Sequence, residues 1–283
     1  MILLTGITGN VGGATAEALL EKGIKFKALV RDLEKASDFS AKGIEIVAGD
    51  LNDSSSLKSA MSDCDTAVLI MPNSQEQEEL ELNFIETAKN CGIDWLIKLS
   101  SPEAIRGTTS PIPLVHIAAE DALMASGMNW TLIRPSFFMQ NLTGSIAGAK
   151  ATGKLSMPMG DGNAAMTHVK DAGTFFAEVL TGDREQHYNK CYDVTGTDLL
   201  TFSQIAEQMS EVLGIKVEYE NCDPNGFKEM LRPFMTSDWH SEAVAILFSE
   251  IADNTTPGEL TDCFQKLVGR EPISFKEFVT ENS

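Results

Sequence analysis

The segment Leu3–Gly13, LLTGITGNVGG, follows a short apolar run and precedes a helical pattern. Its glycines recur at every third position: Gly6, Gly9 and Gly12. Strand, glycine turn and helix, in that order, bring a helix N-terminus to the carboxyl edge of a sheet. The unpaired N–H groups and positive dipole end there suit a pyrophosphate. Each glycine then has its own task. Gly6 permits the tight turn, Gly9 lets a phosphate approach the backbone, and Gly12 lets the helix pack on the strand. A lone glycine motif is a weak signal, but this one stands at the first strand–helix turn with further strands behind it. The reading is a dinucleotide site on a parallel α/β sheet.

The alternation continues. Strands are expected at 1–4, 26–30, 44–47, 66–71, 95–99 and 130–133. Helices are expected at 14–22, 55–61, 75–90 and 117–126. Continuous apolar runs such as Ala67–Met71 fit strands covered on both faces. After residue 145 the rhythm loosens. A helix is expected at 171–180, a last sheet strand at 192–194, a helix at 202–213 capped by Thr201, and a short strand at 216–219. The fold class is therefore α/β, a Rossmann-type doubly wound parallel sheet with a smaller, mostly helical C-terminal substrate domain. The first domain is drawn at residues 1–155, with 166–200 returning to it, and the second at 201–283.

Charge narrows the partners. The 283 residues hold 22 Lys+Arg against 41 Asp+Glu, a net charge of −19. Such a surface repels phosphate backbones and anionic headgroups, so neither nucleic acid nor membrane is expected. An anionic cofactor then needs a local positive pocket. The five cysteines, Cys64, Cys91, Cys191, Cys222 and Cys263, show no Cys-x-x-Cys spacing and read as reduced thiols. No metal-ligand spacing occurs. Three glycosylation patterns begin at Asn52, Asn141 and Asn254, but the opening lacks a basic region and a cleavable apolar segment, so a cytoplasmic location is expected.

The second strand ends Ala28-Leu29-Val30-Arg31-Asp32. An acid here bonds the ribose 2′-hydroxyl of NAD, and an arginine accepts the 2′-phosphate of NADP. Both are present. Arg31 comes first and Lys35 lies a turn onward, so NADP is favoured. A charge-assisted hydrogen bond of ~1.5–3 kcal/mol gives roughly a ten- to hundred-fold preference. The alternative is Arg31 paired with Asp32 or another carboxylate.

A sheet of this kind suggests short-chain dehydrogenases/reductases, whose usual acid is the tyrosine of Tyr-x-x-x-Lys. Four residues after Tyr188, Tyr192 and Tyr219 come Tyr192, Gly196 and Asp223, so that pair is absent. The corresponding helix instead reads His116-Ile117-Ala118-Ala119-Glu120. Together with TGITGNVGG, VRD, RPSFFMQN and the tail LVGREPISFKEFV, this resembles the NmrA-like branch of atypical short-chain reductases, over nearly the whole chain. The local pattern is closest to the quinone and triphenylmethane-dye reductases.

The resemblance implies an NAD(P)H-dependent reductase of a small aromatic electrophile, with neither flavin nor metal. Its relatives also include non-catalytic redox sensors, which is the alternative function. The resemblance places the cofactor against Gly6, Thr8, Gly9, Asn10, Val11, Gly12 and Arg31. It adds Asp50, Leu51, Met71, Pro72, Ser100, Pro135 and Phe137. Phe138, Met139 and Asn141 line the substrate side. His116 becomes the donor to a substrate atom, and Glu120 either orients it or bonds the adjacent loop; both are the catalytic candidates. Met157, Met159 and Met166 suit a flat apolar substrate or ordinary core packing. Trp239-His240 is a candidate cap on the pocket, Asp171 is read as structural and His187 as a loop residue. Beyond the substrate, the one expected partner is a second copy in a homodimer.

Overall fold

The structure is a computed structural model that describes residues 1–235, 237–255 and 258–283. Thr256, the last residue of the third glycosylation pattern, lies outside the described residues. The chain divides into two compact units.

The first unit comprises Met1–Ser101, Val115–Arg134 and Ala172–Tyr192. Its strands are β1 (Ile2–Leu4), β2 (Phe26–Val30), β3 (Glu45–Ala48), β4 (Thr66–Leu69), β5 (Trp95–Leu99) and β6 (Asn129–Pro135). Between them run α1 (Asn10–Glu21), α2 (Ser37–Ala41), α3 (Ser54–Met61), α4 (Gln77–Asn90) and, from Val115 onward, α5 (Pro111–Ala125). The sheet has seven strands in the order β3-β2-β1-β4-β5-β6-β9, where β9 is Lys190–Val194. All pairings from β3 to β6 are parallel. β1, β2 and β4 are buried at every residue, as a sheet covered on both faces requires. The order reverses between β1 and β4, and a Rossmann-like sheet takes its ligand at that switch point.

The second unit comprises Pro102–Leu114, Pro135–Asp171 and Asp193–Ser283. It contains α6 (Thr143–Thr152), β7 (Lys154–Met157) and β8 (Asn163–Ala164), then the start of α7 (Val169–Thr181). The chain completes α7 and α8 (Arg184–His187) in the first unit before it returns. There follow β10 (Leu200–Thr201), α9 (Phe202–Leu213), β11 (Glu218–Asn221), α10 (Pro224–Leu231), α11 (Asp238–Ala252), α12 (Cys263–Val268) and α13 (Phe275–Glu281). β7 pairs in parallel with β11, and β8 antiparallel with β10. Thr201 caps α9 through a full capping box with Gln204.

The division falls earlier than the boundary drawn at residue 155. The reason is packing: Phe137, Met139, Leu142, Ile146 and Leu155 share one core with Phe202, Ile205, Phe275 and Phe278. Residues 135–171 therefore belong with the C-terminal segment. α5 also starts six residues before the expected Ile117, with Pro111 as its first residue, a position where a missing N–H costs nothing. His116 thus stands inside the helix. His187 is no loop residue; it ends α8, buried, with Nδ1 2.9 Å from the Tyr192 hydroxyl.

Candidate active site

The glycine turn is built as its spacing implies. Gly6 has φ +71°, and a Cβ there would stand 2.5 Å from the Ile70 carbonyl oxygen. Thr5 brings β4 this close: its N–H donates to the Val68 oxygen, and its hydroxyl both donates to Ile70 O at 2.7 Å and accepts from Ile70 N–H. A Cβ at Gly12 would stand 2.1 Å from the Gly6 oxygen. Both glycines are therefore demanded by the protein's own backbone. Gly9 is not: its φ is −99° and the nearest protein atom to a Cβ would be 3.4 Å away. The open side of Gly9 is the side a ligand would use. Gly9 is also the N-cap of α1, with no side-chain cap and no acid in the first turn. Those N–H groups remain available to an anion. Thr8, Gly9 and Asn10 are exposed, and Val11 is buried.

Arg31 lies at the end of β2, exposed, and among the described residues it has no hydrogen-bond or ion-pair partner. Asp32, the alternative partner, instead accepts from the Glu34 N–H at 3.0 Å. Lys35 is likewise exposed and unpaired among the described residues. Asp50 follows β3 and accepts from the Asn52 N–H, with Leu51 half-buried beside it. Met71 and Pro72 follow β4 at the switch point.

Beyond β5 lies a buried polar network. Lys98 is fully buried, and its Nζ lies 3.0 Å from Glu81 Oε1, 2.8 Å from the Leu99 oxygen and 3.0 Å from His116 Nδ1. Gln77 donates to the same Glu81 oxygen at 3.2 Å. Alongside, Glu120 accepts from the Ser100 hydroxyl and from both Nε and Nη2 of Arg134. Ser100 N–H in turn donates to Ile133 O, joining β5 to β6. No bond links Glu120 to His116. The Glu120 carboxylate is engaged by Ser100, the residue after β5, and by Arg134 on β6.

Burial, helped by the Lys98 and Arg134 charges, holds the His116 imidazole well below the ordinary histidine value of 6.5. It is neutral at neutral pH. Its Nε2 has no hydrogen-bond partner among the described residues.

The RPSFFMQN stretch enters the second unit at Pro135. Ser136 N–H donates to Val194 O, Thr167 N–H donates to Phe137 O, and Met139 N–H donates to Thr167 O. Phe137 meets Phe202 edge-on at 6.2 Å. Phe137 and Met139 point into the core of this unit, as do Met157, Met159 and Met166. All four methionines, Met139 included, are buried in that core. Phe138 is half-buried and Asn141 exposed. Asp171 is fully buried; it accepts from Arg270 Nη2 at 2.7 Å and Ile273 N–H at 2.6 Å, which anchors the C-terminal tail. Trp239 and His240 open α11, half-buried. Among the described residues no group of three or more His, Cys, Asp or Glu is placed to hold a metal.

Among the members of the site that sequence reasoning passed over are Lys98 and Glu81. A signal existed for one: Lys98 is the lone charge in the strand WLIKL. Glu81 sits between Leu80 and Leu82 in a helix rich in acids and gave none.

The comparisons agree with this architecture. The sequence model of the NmrA-like family matches residues 1–278. An NAD(P)H azoreductase of Xenophilus azovorans is 30% identical, over 98% of this chain and 96% of that protein. An Escherichia coli NADPH-dependent quinone oxidoreductase, solved with NADPH, superposes with a TM-score of 0.91 at 25% identity, covering 99% of each chain. The Citrobacter sp. triphenylmethane reductase, solved with NADP(H), gives 0.90 at 26% identity over the full length of both.

Proposed function

The chain belongs to the NmrA-like family, and from that premise we propose that it is an NAD(P)H-dependent oxidoreductase of a small aromatic electrophile, a quinone or dye-like molecule. One observation carries the reading. The first unit holds an uncapped, acid-free helix N-terminus behind the glycine turn and, on α5 beside β5, a neutral buried histidine whose Nε2 has no partner among the described residues. The azoreductase, quinone oxidoreductase and triphenylmethane reductase named above support the substrate class.

The nicotinamide cofactor, when bound, supplies a hydride from C4 directly to the substrate, with no flavin between. The α1 N–H groups would hold its pyrophosphate. We assign NADP(H) over NAD(H) because Arg31 is exposed and unpaired among the described residues, leaving its whole guanidinium for a 2′-phosphate. His116, neutral, donates Nε2–H to a substrate oxygen as negative charge builds there. A quinone is electrophilic enough that water can then deliver the one proton that completes the hydroquinone. Glu120 is a positioning residue that ties Ser100 to Arg134.

The test is NADPH absorbance loss with a panel of quinones, azo dyes and triphenylmethane dyes. Turnover should fall roughly ten- to hundred-fold in His116→Ala. Arg31→Ala should weaken NADPH by a similar factor and leave NADH nearly unchanged. Binding of NADPH without turnover of any panel member would replace the reductase with a sensor.

A further inference from the structure

We infer that Lys98 is a positioning residue: donating from its buried ammonium to His116 Nδ1, it fixes the imidazole as the tautomer protonated on Nε2. The inference rests on the role of His116 proposed above.

The argument starts from donor counts. An ammonium has three protons and no acceptor. Around Lys98 Nζ stand three acceptors within hydrogen-bonding distance: the Glu81 carboxylate, the Leu99 carbonyl and His116 Nδ1. Each proton has one destination, so Nδ1 must present its lone pair. The single ring proton of a neutral histidine then resides on Nε2, the nitrogen with no partner among the described residues. Lys98 side-chain exposure is 0% and that of Glu81 is 1%, so no water competes for this geometry.

The two cations near the ring favour a neutral imidazole. Glu81 faces Lys98 from α4, Lys98 faces the ring from β5, and Arg134 lies on β6. Glu120, on the ring's own helix, is neutralised by Arg134. Both cations oppose a second proton on the imidazole. Histidine is ordinarily a titrating group near neutral pH. Burial first, and then Lys98, turn it into a fixed neutral donor, suited to a reaction that needs a hydrogen bond at the substrate more than a proton. The missing Tyr-x-x-x-Lys pair is not replaced by another acid; the lysine here acts on a different atom for a different purpose.

The test reads the nitrogen atoms directly. Protein labelled with 15N-histidine carries four imidazoles, and the His116 signals are those lost in His116→Ala. The expected result is a protonated Nε2 and an unprotonated Nδ1, unchanged from about pH 5.5 to 8. Lys98→Met alone would strand the Glu81 carboxylate in the interior, so the informative variant is Lys98→Met with Glu81→Gln. It removes both charges at nearly constant volume and keeps an amide for Gln77. In that folded, NADPH-binding variant the Nδ1-protonated tautomer should become populated, and kcat should fall roughly tenfold with KM for NADPH unchanged. A wild-type ring protonated on Nδ1, a ring titrating near 6.5, or a double variant with unaltered tautomer and kcat would each overturn the inference. If His116→Ala keeps full turnover, the proposed role of His116 fails instead, and the nitrogen signals still decide for or against Lys98.

Discussion

Two loop regions, one in each unit, are secured by different means. In the first, the glycine turn closes by backbone fit: Gly12 lies against Gly6, Gly6 against Ile70, and a single Cβ would not pass. In the second, loops are tied down by carboxylates. Glu250 on α11 accepts from Thr108 Oγ1 at 2.7 Å, Thr109 N–H at 2.6 Å, Thr109 Oγ1 at 2.8 Å and Ser110 N–H at 3.1 Å, just ahead of α5. Asp171 does the same for the tail. Steric closure is indifferent to pH and intolerant of one added methyl. A carboxylate clamp tolerates small changes in shape but depends on its charge.

The largest effect should therefore come from Gly12→Ala. Its new Cβ would meet the Gly6 oxygen at 2.1 Å and Ile7 N at 2.9 Å, both backbone atoms that cannot swing aside. A loss of about 3 kcal/mol or more is expected, independent of pH, with cofactor binding abolished. Thermal melts and NADPH titration at two pH values check it. A variant as stable as wild type would show that the turn is not sterically closed.

Glu250→Gln probes the other mode, with a smaller effect. Burial alone would raise the Glu250 carboxyl, but the hydrogen bonds from Thr108, Thr109 and Ser110 outweigh it and hold it below the ordinary glutamate value of 4.5. The folded value is the lower one, so the clamp stabilises fully above the unfolded value and is lost as pH falls through the folded value. At pH 7 the variant should be about 1–2 kcal/mol less stable. The gap between wild type and variant should narrow as the pH drops below 4.5. Melting curves at neutral pH and at about pH 3.5 measure both quantities. A gap constant with pH would mean that the carboxylate charge contributes nothing to the clamp.

The same contrast decides what was legible in the sequence. The first unit is local: each strand is an apolar run, each helix follows it, and the turns carry glycine. β2 and β5 were readable to the residue, and so was α9 with its Thr201 cap, because these signals are carried by adjacent residues. The second unit is assembled from distant stretches. β8 and β10 have two residues each and exist through their pairing, so no periodicity announces them. α6, TGSIAGAKAT, is rich in small residues and shows no apolar stripe. In the site, Gly6, Gly12 and Arg31 could be read because each answers to one local requirement. The partners of Glu120 could not, because Ser100 follows β5 and Arg134 lies on β6, and only the sheet brings them together.

The smallest effect on stability should come from Gly9→Ala, and it separates ligand demand from fold demand within one turn. Gly9 has a φ any residue adopts, and its Cβ would meet nothing nearer than the Gly6 oxygen at 3.4 Å, ordinary contact. Alanine is a poorer N-cap than glycine, so the expected loss is under about 1 kcal/mol. If the open side of Gly9 is where the pyrophosphate approaches, that methyl stands in its path. NADPH affinity should then fall at least about tenfold while the melting temperature scarcely moves. Gly12→Ala loses stability and affinity together; Gly9→Ala should lose affinity alone. Calorimetric NADPH titration beside a thermal melt reads both, and undiminished affinity in Gly9→Ala would mean that the anion does not sit over the middle of the turn.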